Sequence, residues 1–402
     1  MTLQHTPSET TREAITRAPR THPALYALAL ASFAVGLAEF VIAGLLPDIA
    51  GDLSVSDGSA GILVTAYAVG IIVGALVLTT ALSRIPPKSA LVRLGVIFVI
   101  GNLLSALGPD FTVVLLGRII AGATNGAFLG VGIVVAVSLA DARNQGRAIA
   151  TMLAGLTFAN VLGVPLGTVL GQHLGWRAVF GVIVALAVLA TLAILAVVPH
   201  VASAPTSSLS DLRHLLDRQA LLAMGIATFG FGGMFGAFTY AALTLTKVSG
   251  YPTSAVPWLL VLFGIGLMVG NALGGRLVDR SLDATLAGSL LGLLAVQIVL
   301  GSFAGHAVVA AIALGLMGMF GFAAAPGYQQ KVMRHARAAG ATASGAPIAA
   351  VNVGNALGSW IGGLMITSGL GYTSPIWMGA MATGIALVLL AVAARTALKA
   401  AQ

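Results

Sequence analysis

The chain has 402 residues, of which 58% are hydrophobic and only 8% are charged, and its formal net charge is +8. A water-soluble protein carries about 25% charged residues, so this composition excludes a soluble protein and indicates a chain that crosses a membrane many times. The lack of cysteine excludes disulfides, thiolate metal sites and thiol catalysis.

The chain begins with a polar segment, 1–23, which we expect to be a disordered cytoplasmic tail. The first apolar run, 24–46, carries Glu39 as its only charged residue. At a rise of about 1.5 Å per residue, a helix of this length crosses a hydrocarbon core of about 30 Å. The run is too long for the core of a signal peptide, and we expect no cleavage.

Further apolar runs follow along the chain, separated by short loops, and predict twelve spans in an all-α polytopic membrane protein. The predicted spans are 24–46, 58–82, 89–108, 112–139, 147–171, 177–198, 220–246, 254–277, 284–304, 307–327, 340–366 and 373–395. This pattern includes no extramembrane domain that could host soluble chemistry.

Lysine and arginine concentrate in alternate loops. With the N-terminus inside, 17 of the 20 lysines and arginines fall in inner segments, and the outer loops hold only Arg177 and Lys247. Because positive loops face the cytoplasm, we expect both termini to be cytoplasmic. The same distribution accounts for the positive net charge without a nucleic-acid partner.

The longest interior connection, 199–219, joins spans 6 and 7. It divides the chain into an N-terminal six-helix bundle, 24–198, and a C-terminal six-helix bundle, 220–396, which is followed by a cytoplasmic tail, 397–402. Its second part, SLSDLRHLLDRQ, places leucines on one helical face and predicts a short amphipathic helix.

Two sets of landmarks recur at constant offsets in the two halves. Gly70, Gly74 and Arg84 recur 196 residues later as Gly266, Gly270 and Arg280, and Gly163, Gly167 and Gly171 recur 191 residues later as Gly354, Gly358 and Gly362. Six-span repeats are typical of secondary transporters, which bind substrate near the membrane midplane between the repeats.

Two charged residues lie well inside the spans, Glu39 and Arg118, and helical rise places both about 10 Å below the outer surface. An acid inside a membrane is costly and is a functional-site hypothesis by default. We expect the pair to be coupled, either in direct contact or through a shared aqueous cavity, so that Glu39 binds and releases a proton. The alternatives are a static salt bridge and a structural carboxylate. Asp48, at the outer end of span 1, is a second candidate for the proton carrier.

Candidate substrate contacts are less sharply defined. Asn125 follows Arg118 by seven residues on the same helical face, and we expect it to line the cavity; Tyr67 adds a hydroxyl. In span 7 a face of aromatic residues suits an apolar or planar ligand, although lipid-facing aromatics are the alternative. These aromatic candidates are Phe231, Phe235, Phe238 and Tyr240.

The segments AEFVIAGLLPDIAGDL and GRIIAGATNGA carry a family resemblance. With them, the whole chain resembles a twelve-span member of the major facilitator superfamily, of the drug:proton antiporter type. More narrowly, it is similar to the bacterial chloramphenicol-exporter and sugar- or nucleoside-efflux group. The resemblance implies a monomer in the bacterial inner membrane that exchanges a small organic compound for protons by alternating access, without a cofactor.

The resemblance extends to sequence motifs. Arg118, with the glycines after it, matches the family's arginine motif, which is associated with proton coupling. Span 5 matches the glycine–proline motif that marks antiporters, at Gly155, Gly163, Pro165, Gly167 and Gly171. The loop after span 2 keeps Arg84 but has Ser83 where the family places an aspartate, whereas the second copy of this motif keeps Asp279 and Arg280.

Proton-coupled efflux of drugs such as chloramphenicol-like antibiotics is therefore the leading prediction, with sugar or purine-nucleoside efflux as the alternative. An importer or facilitator of the same fold is a second class. A membrane-embedded enzyme or sensor is a third, but the sequence offers no nucleophile, metal-ligand spacing or partner domain for it. The sequence contains no phosphate-binding GxxxxGK[ST] loop, so we expect no direct ATP drive.

Overall fold

A computed structural model describes residues 22–141, 144–200, 215–336 and 345–401. These residues form twelve helical spans that are long and apolar enough to cross a membrane, as the sequence predicted. The spans are Pro23–Phe40, Asp57–Leu82, Pro87–Leu107, Phe111–Ser138, Gln145–Leu174, Trp176–Val197, Arg218–Thr239, Thr253–Val278, Leu282–Phe303, Ala307–His335, Gly345–Thr367 and Ser374–Thr396. Residues 1–21 of the predicted N-terminal tail and residues 201–214 of the predicted linker, which include most of its expected amphipathic helix, fall outside the described residues.

The first and seventh spans are each interrupted by a single residue, which the sequence did not predict. The first helix stops at Phe40 and resumes as Ile42–Asp52. The seventh stops at Thr239 and resumes as Ala241–Lys247. Span 10 runs beyond its predicted end at 327, because Pro326 lies in the first turn of a new helical segment, where a missing N–H costs nothing. The last helix continues to Ala401, through most of the predicted tail.

The repeated glycines make equivalent contacts in the two halves. A Cβ at Gly70 or Gly74 would collide with the backbone of span 4, and one at Gly266 or Gly270 would collide with the backbone of span 10. The glycines of span 5 likewise face span 1, and those of span 11 face span 7. Small residues thus let the same pairs of helices approach closely in each half.

Spans 2 and 5 each contain one five-residue π-helical turn, at Gly74–Leu78 and Ala159–Gly163. The turn in span 5 lies directly before Pro165, which has no N–H to donate to the preceding turn. A π-helical turn changes the direction of the side chains that follow it, and such turns are frequent at functional sites.

The two halves meet tightly at the predicted outer end. Tyr372 Oη donates to Asp57 Oδ2 at 2.9 Å, and Gln172 Nε2 donates to the carbonyl oxygen of Thr253 at 2.8 Å. Gly58 lies against the backbone of Gly363, where a Cβ would not fit. Towards the predicted cytoplasmic end, spans 5 and 8 instead border a cavity of about 540 Å³. The described conformation is therefore closed at the outer end.

Candidate functional site

Span 4 holds two of the candidate residues in register. It begins at Phe111 because Asp110 Oδ1 accepts a hydrogen bond from the N–H of Val113 at 3.0 Å, which caps the helix. Arg118 and Asn125 follow on one face, two turns apart, and both are fully buried.

A cavity of about 270 Å³ lies between the two halves near the middle of the spans. It is lined by residues from both halves, and Glu39 is the only charged residue in its lining. Its polar lining consists of Glu39, Asn125, Thr157, Asn160, Asn271, Asn352 and Asn355. Its aromatic lining consists of Phe40, Phe231 and Phe322. The larger cavity between spans 5 and 8 adjoins it through shared lining residues.

Glu39 is half-buried at this cavity, and its carboxylate belongs to a short hydrogen-bond network. Asn125 Nδ2 donates to Glu39 Oε2 at 3.0 Å and to Tyr67 Oη at 3.3 Å. Tyr67 Oη in turn donates to the carbonyl oxygen of Val35 at 3.3 Å. Spans 1, 2 and 4 are thus joined by polar groups at the depth of the carboxylate.

Arg118 is fully buried beside this network. Its Nη1 donates to the carbonyl oxygen of Ala38 at 2.7 Å, and its Nε donates to that of Leu63 at 3.4 Å. The guanidinium carbon lies 4.0 Å from the ring centroid of Tyr67. Because the first helix ends two residues after Ala38, the cation lies at the negative end of a helix dipole.

Glu39 and Arg118 do not form the direct ion pair that was one of the two predicted arrangements. Within the described residues, ion pairs join Arg177 with Asp52 and Lys331 with Asp283. Arg118 is instead linked to Glu39 through the ring of Tyr67 and the amide of Asn125. The static salt-bridge alternative does not describe this structure.

The structure separates the predicted substrate contacts into two groups. Asn125 and Phe231 line the cavity. Phe235 stacks behind Phe231 with ring centroids 6.2 Å apart, and Phe238 stacks on a span 8 phenylalanine at 4.1 Å. Tyr240 Oη donates to a span 11 carbonyl oxygen at 2.6 Å. The span 7 aromatics do share a face, but most of that face packs against protein, because the helix is surrounded by other spans.

The remaining motif residues lie away from the cavity. Asp48 is exposed on the helix that follows the break in span 1, and Arg84, Asp279 and Arg280 are exposed at the ends of spans 2 and 8. The span 5 glycines lie against span 1: Gly155 meets the backbone of that helix, and Gly163, Gly167 and Gly171 meet its side chains.

Sequence analysis did not single out several residues of the cavity wall. Asn160, Asn271, Asn352 and Asn355 were indistinguishable from helix–helix hydrogen-bonding residues, and Phe40 and Phe322 from other apolar residues. One feature of the sequence could have identified three of them as candidates. The glycine stripes of the repeat-related spans 5 and 11 lie beside Asn160, Asn352 and Asn355.

Outside the membrane, the Arg177 guanidinium and the Trp176 indole N–H both donate to Asp52, and these hydrogen bonds hold the pKa of its carboxyl below the usual range. The pKa of the Tyr372 hydroxyl is shifted in the other direction, because its hydrogen bond to Asp57 raises it. Both pairs lie at the predicted outer end.

A helical bundle of two halves, with a cavity between them and a carboxylate in its wall, is the architecture of many membrane transporters. The sequence profile of the Major Facilitator Superfamily matches residues 28–347, and the chain belongs to this family. The family resemblance seen in the sequence is thereby confirmed, and the protein is a transporter rather than an enzyme.

Individual relatives agree with this assignment. The chain is 41% identical to the inner membrane transport protein YdhP of Escherichia coli (strain K12) over 372 residues, which cover 92% of this chain and 96% of YdhP. It is 34% identical to a chloramphenicol resistance protein of Streptomyces lividans over 370 residues, covering 91% of this chain and 94% of the relative. A solved bacterial homologue of the lysosomal transporter Spinster shares the fold, with a TM-score of 0.66, 18% identity and coverage of 97% and 96%.

Proposed function

We propose that the protein exports small organic compounds, such as chloramphenicol-like antibiotics, from the cytoplasm in exchange for protons. The observation that carries the proposal is the half-buried carboxylate of Glu39 in the wall of the central cavity. It is the only charged group in that wall, so it is the candidate there for binding and releasing a proton. The cavity, at about 270 Å³, suits a small solute.

The proposal includes an orientation, with both termini in the cytoplasm of a bacterial cell and the protein acting as a monomer in the inner membrane. The distribution of lysine and arginine supports this orientation. With it, the closed end of the bundle faces outward, and the opening between spans 5 and 8 faces the cytoplasm.

The hydrogen-bond network around Glu39 can couple proton binding to a change of conformation. In the described conformation, the amide N–H group of Asn125 donates to the carboxyl of Glu39, and Arg118 lies nearby behind the ring of Tyr67. Arg118 also bonds carbonyl oxygens of spans 1 and 2, so movement of these spans would alter the distance between cation and acid. A carboxylate whose surroundings change between two conformations binds a proton in one and releases it in the other.

Transport into inside-out vesicles with an imposed pH gradient tests the proposal, with labelled chloramphenicol as the probe. We expect Glu39→Gln to keep chloramphenicol binding and lose gradient-driven transport, because the amide has nearly the same shape but exchanges no proton. The exposed Asp48 provides the matched variant, Asp48→Asn, which we expect to remain coupled. Loss of coupling in the Asp48 variant alone would show that the proton site is elsewhere.

A further inference from the structure

The two halves meet along two seams that the internal repeat relates to each other, one between spans 2 and 11 and one between spans 8 and 5. In the seam between spans 2 and 11, Thr65 Oγ1 donates to the carbonyl oxygen of Ala356 at 3.4 Å. Nearer the predicted cytoplasmic end, a Cβ at Gly345 would collide with the backbone of Ala75, which is 4% exposed. These contacts close the seam from its outer part to its cytoplasmic part.

The seam between spans 5 and 8 is closed only in its outer part, where a Cβ at Gly264 would collide with the backbone of Val161. From there towards the cytoplasmic end, the two spans border the cavity of about 540 Å³, whose lining extends along span 5 from Gly146 to Leu162. At a rise of about 1.5 Å per residue, this stretch of span 5 is about 24 Å long. The cavity is therefore a lateral opening that extends from the predicted cytoplasmic surface deep into the hydrocarbon core.

The difference between the two seams is present in the sequence. The repeat offsets of 196 and 191 residues relate Ala75 to Asn271 and Ala154 to Gly345. Ala75 packs against Gly345, which has no side chain, whereas Ala154 and Asn271 both carry one and both line the lateral opening. Spans 5 and 8 therefore cannot approach each other as closely as spans 2 and 11 do.

The lining of the lateral opening is mostly apolar and, among the described residues, contains no charged side chain. Phe158 and Met268, in the same lining, are 58% and 47% exposed. Such side chains at this depth favour contact with lipid over water. The polar side chains of the lining are Thr157 and Asn271, and both also line the central cavity. The lateral opening thus joins an apolar entrance to hydrogen-bonding groups at its inner end.

The side chain of Asn271 narrows the class of occupant. It is exposed within a membrane span, where an amide without a partner is costly. A lipid acyl chain has no group that could form a hydrogen bond with Asn271 or Thr157. The occupant that fits is a compound with an apolar body and a hydrogen-bonding group, and the volume of about 540 Å³ is typical of small-molecule sites.

We propose that solutes enter the central cavity from the cytoplasmic leaflet of the membrane, through the lateral opening between spans 5 and 8, and that Asn271 selects amphipathic compounds at its inner end. The preferred solute is uncharged, partitions into lipid and carries a hydroxyl or amide group that pairs with Asn271. The inference rests on the proposed function in treating the central cavity as the transport site.

The kinetics of chloramphenicol binding to the full-length protein in lipid nanodiscs test the entry route. Ala154→Trp places a bulky side chain in the lateral opening, and an obstructed passage slows entry and exit alike. We expect association and dissociation to slow by the same factor, at least about fivefold, with an unchanged Kd. The control is Leu166→Trp, because Leu166 is 65% exposed on the same span but lies outside the lining of both cavities. This control should bind at the wild-type rates.

The role of Asn271 is tested by the affinity itself. Asn271→Leu keeps a similar volume and removes the amide, and the loss of one hydrogen bond should weaken chloramphenicol binding about three- to tenfold. Asn271→Gln restores an amide and should recover part of the affinity. An unchanged Kd in folded Asn271→Leu would overturn the proposed selection by this residue.

Cysteine labelling in inside-out vesicles distinguishes entry from lipid from entry through water, since the natural chain has no cysteine. We expect a lipid-soluble pyrenylmaleimide to label Ala154→Cys at least about tenfold faster than Ala75→Cys, because a thiol in the packed seam reacts only when the spans separate. A membrane-impermeant maleimide should label Gly146→Cys, which is exposed at the cytoplasmic end of span 5, but label Ala154→Cys slowly. Impermeant labelling at equal rates would show a water-filled entrance and overturn entry from lipid.

The binding kinetics also separate this inference from the proposed function. Wild-type rates in Ala154→Trp, or a change confined to its Kd, would overturn the entry route. Proton-driven chloramphenicol transport with such kinetics would refute only this inference, whereas slowed entry and exit without proton-driven transport would refute only the coupling. Folded wild-type protein that binds no chloramphenicol would overturn both.

Discussion

Replacing Arg118 with lysine tests whether the shape of the buried cation matters in addition to its charge. A lysine ammonium can keep one carbonyl partner, and Ala38, at 2.7 Å from the present Nη1, is the nearer of the two. The ammonium loses the flat contact with Tyr67 at 4.0 Å and the longer bond to Leu63 at 3.4 Å. A compact ammonium cannot replace a planar group with five donors at such a site.

The size of the effect follows from those two contacts. A cation–π contact contributes about 1 kcal/mol, and we assign about 1 kcal/mol to the long charged hydrogen bond, below the usual value because of its length. The expected loss is therefore about 2 kcal/mol of stability for this conformation, or about thirtyfold in its population relative to competing states.

The assay combines an apparent Tm in detergent with transport in vesicles. We expect Arg118→Lys to lower the apparent Tm and to reduce pH-gradient-driven transport at least about tenfold. The control is Arg177→Lys: Arg177 forms an exposed ion pair with Asp52, of the kind that contributes little. Wild-type Tm and transport in Arg118→Lys would refute the proposed role of the guanidinium.

Three further predictions concern other parts of the chain. Pro165→Ala should leave the protein folded but lower transport turnover, because a regular turn can then replace the π-helical one; a lower Tm with unchanged turnover would mean that the proline serves packing alone. Tyr372→Phe removes the hydrogen bond to Asp57 and should loosen the outer seal. The reporter is Ser359, which is fully buried in span 11 with its hydroxyl paired to that of Thr239. In this cysteine-free chain, the loosening should speed the labelling of Ser359→Cys by an impermeant maleimide added outside, and an unchanged rate would contradict it. Because the pKa of Asp52 is lowered in the folded protein, its contribution to stability should be present above pH about 4 and be lost as the pH falls through the lowered pKa. The difference in Tm between wild type and Asp52→Asn should accordingly shrink on acidification, and a difference that grows would show the opposite sign.

Much of the fold follows from patterns that are local in sequence. Twelve apolar runs correspond to twelve spans, because a chain in lipid must satisfy its backbone within each helix. The glycine offsets also have a structural counterpart, since Gly70 and Gly266 contact equivalent partner helices in the two halves. The interruptions at Val41 and Tyr240 were not predicted, because neither position carries a proline or glycine.

The candidate site was only partly predictable. Glu39 and Arg118 stand out in any reading of the sequence, since charges inside spans are rare. Whether they touch depended on Tyr67, which places an aromatic ring against the guanidinium and shares the amide of Asn125 with the acid. No spacing along the chain encodes a contact between three different helices.

The sequence by itself determined that this chain spans a membrane twelve times, as two related halves, with one acid and one arginine inside the spans. Those properties depend on the free energy of moving side chains from water to lipid and on the periodicity of the helix. Both can be evaluated within a single segment of the chain. The tertiary structure alone decided which amides face the cavity, because a single asparagine serves equally well as a helix–helix bond or as a binding group. Asn102 and Asn355 each donate a hydrogen bond within their own helix, and only the packing of distant spans makes Asn355 part of the lining of the cavity between the halves.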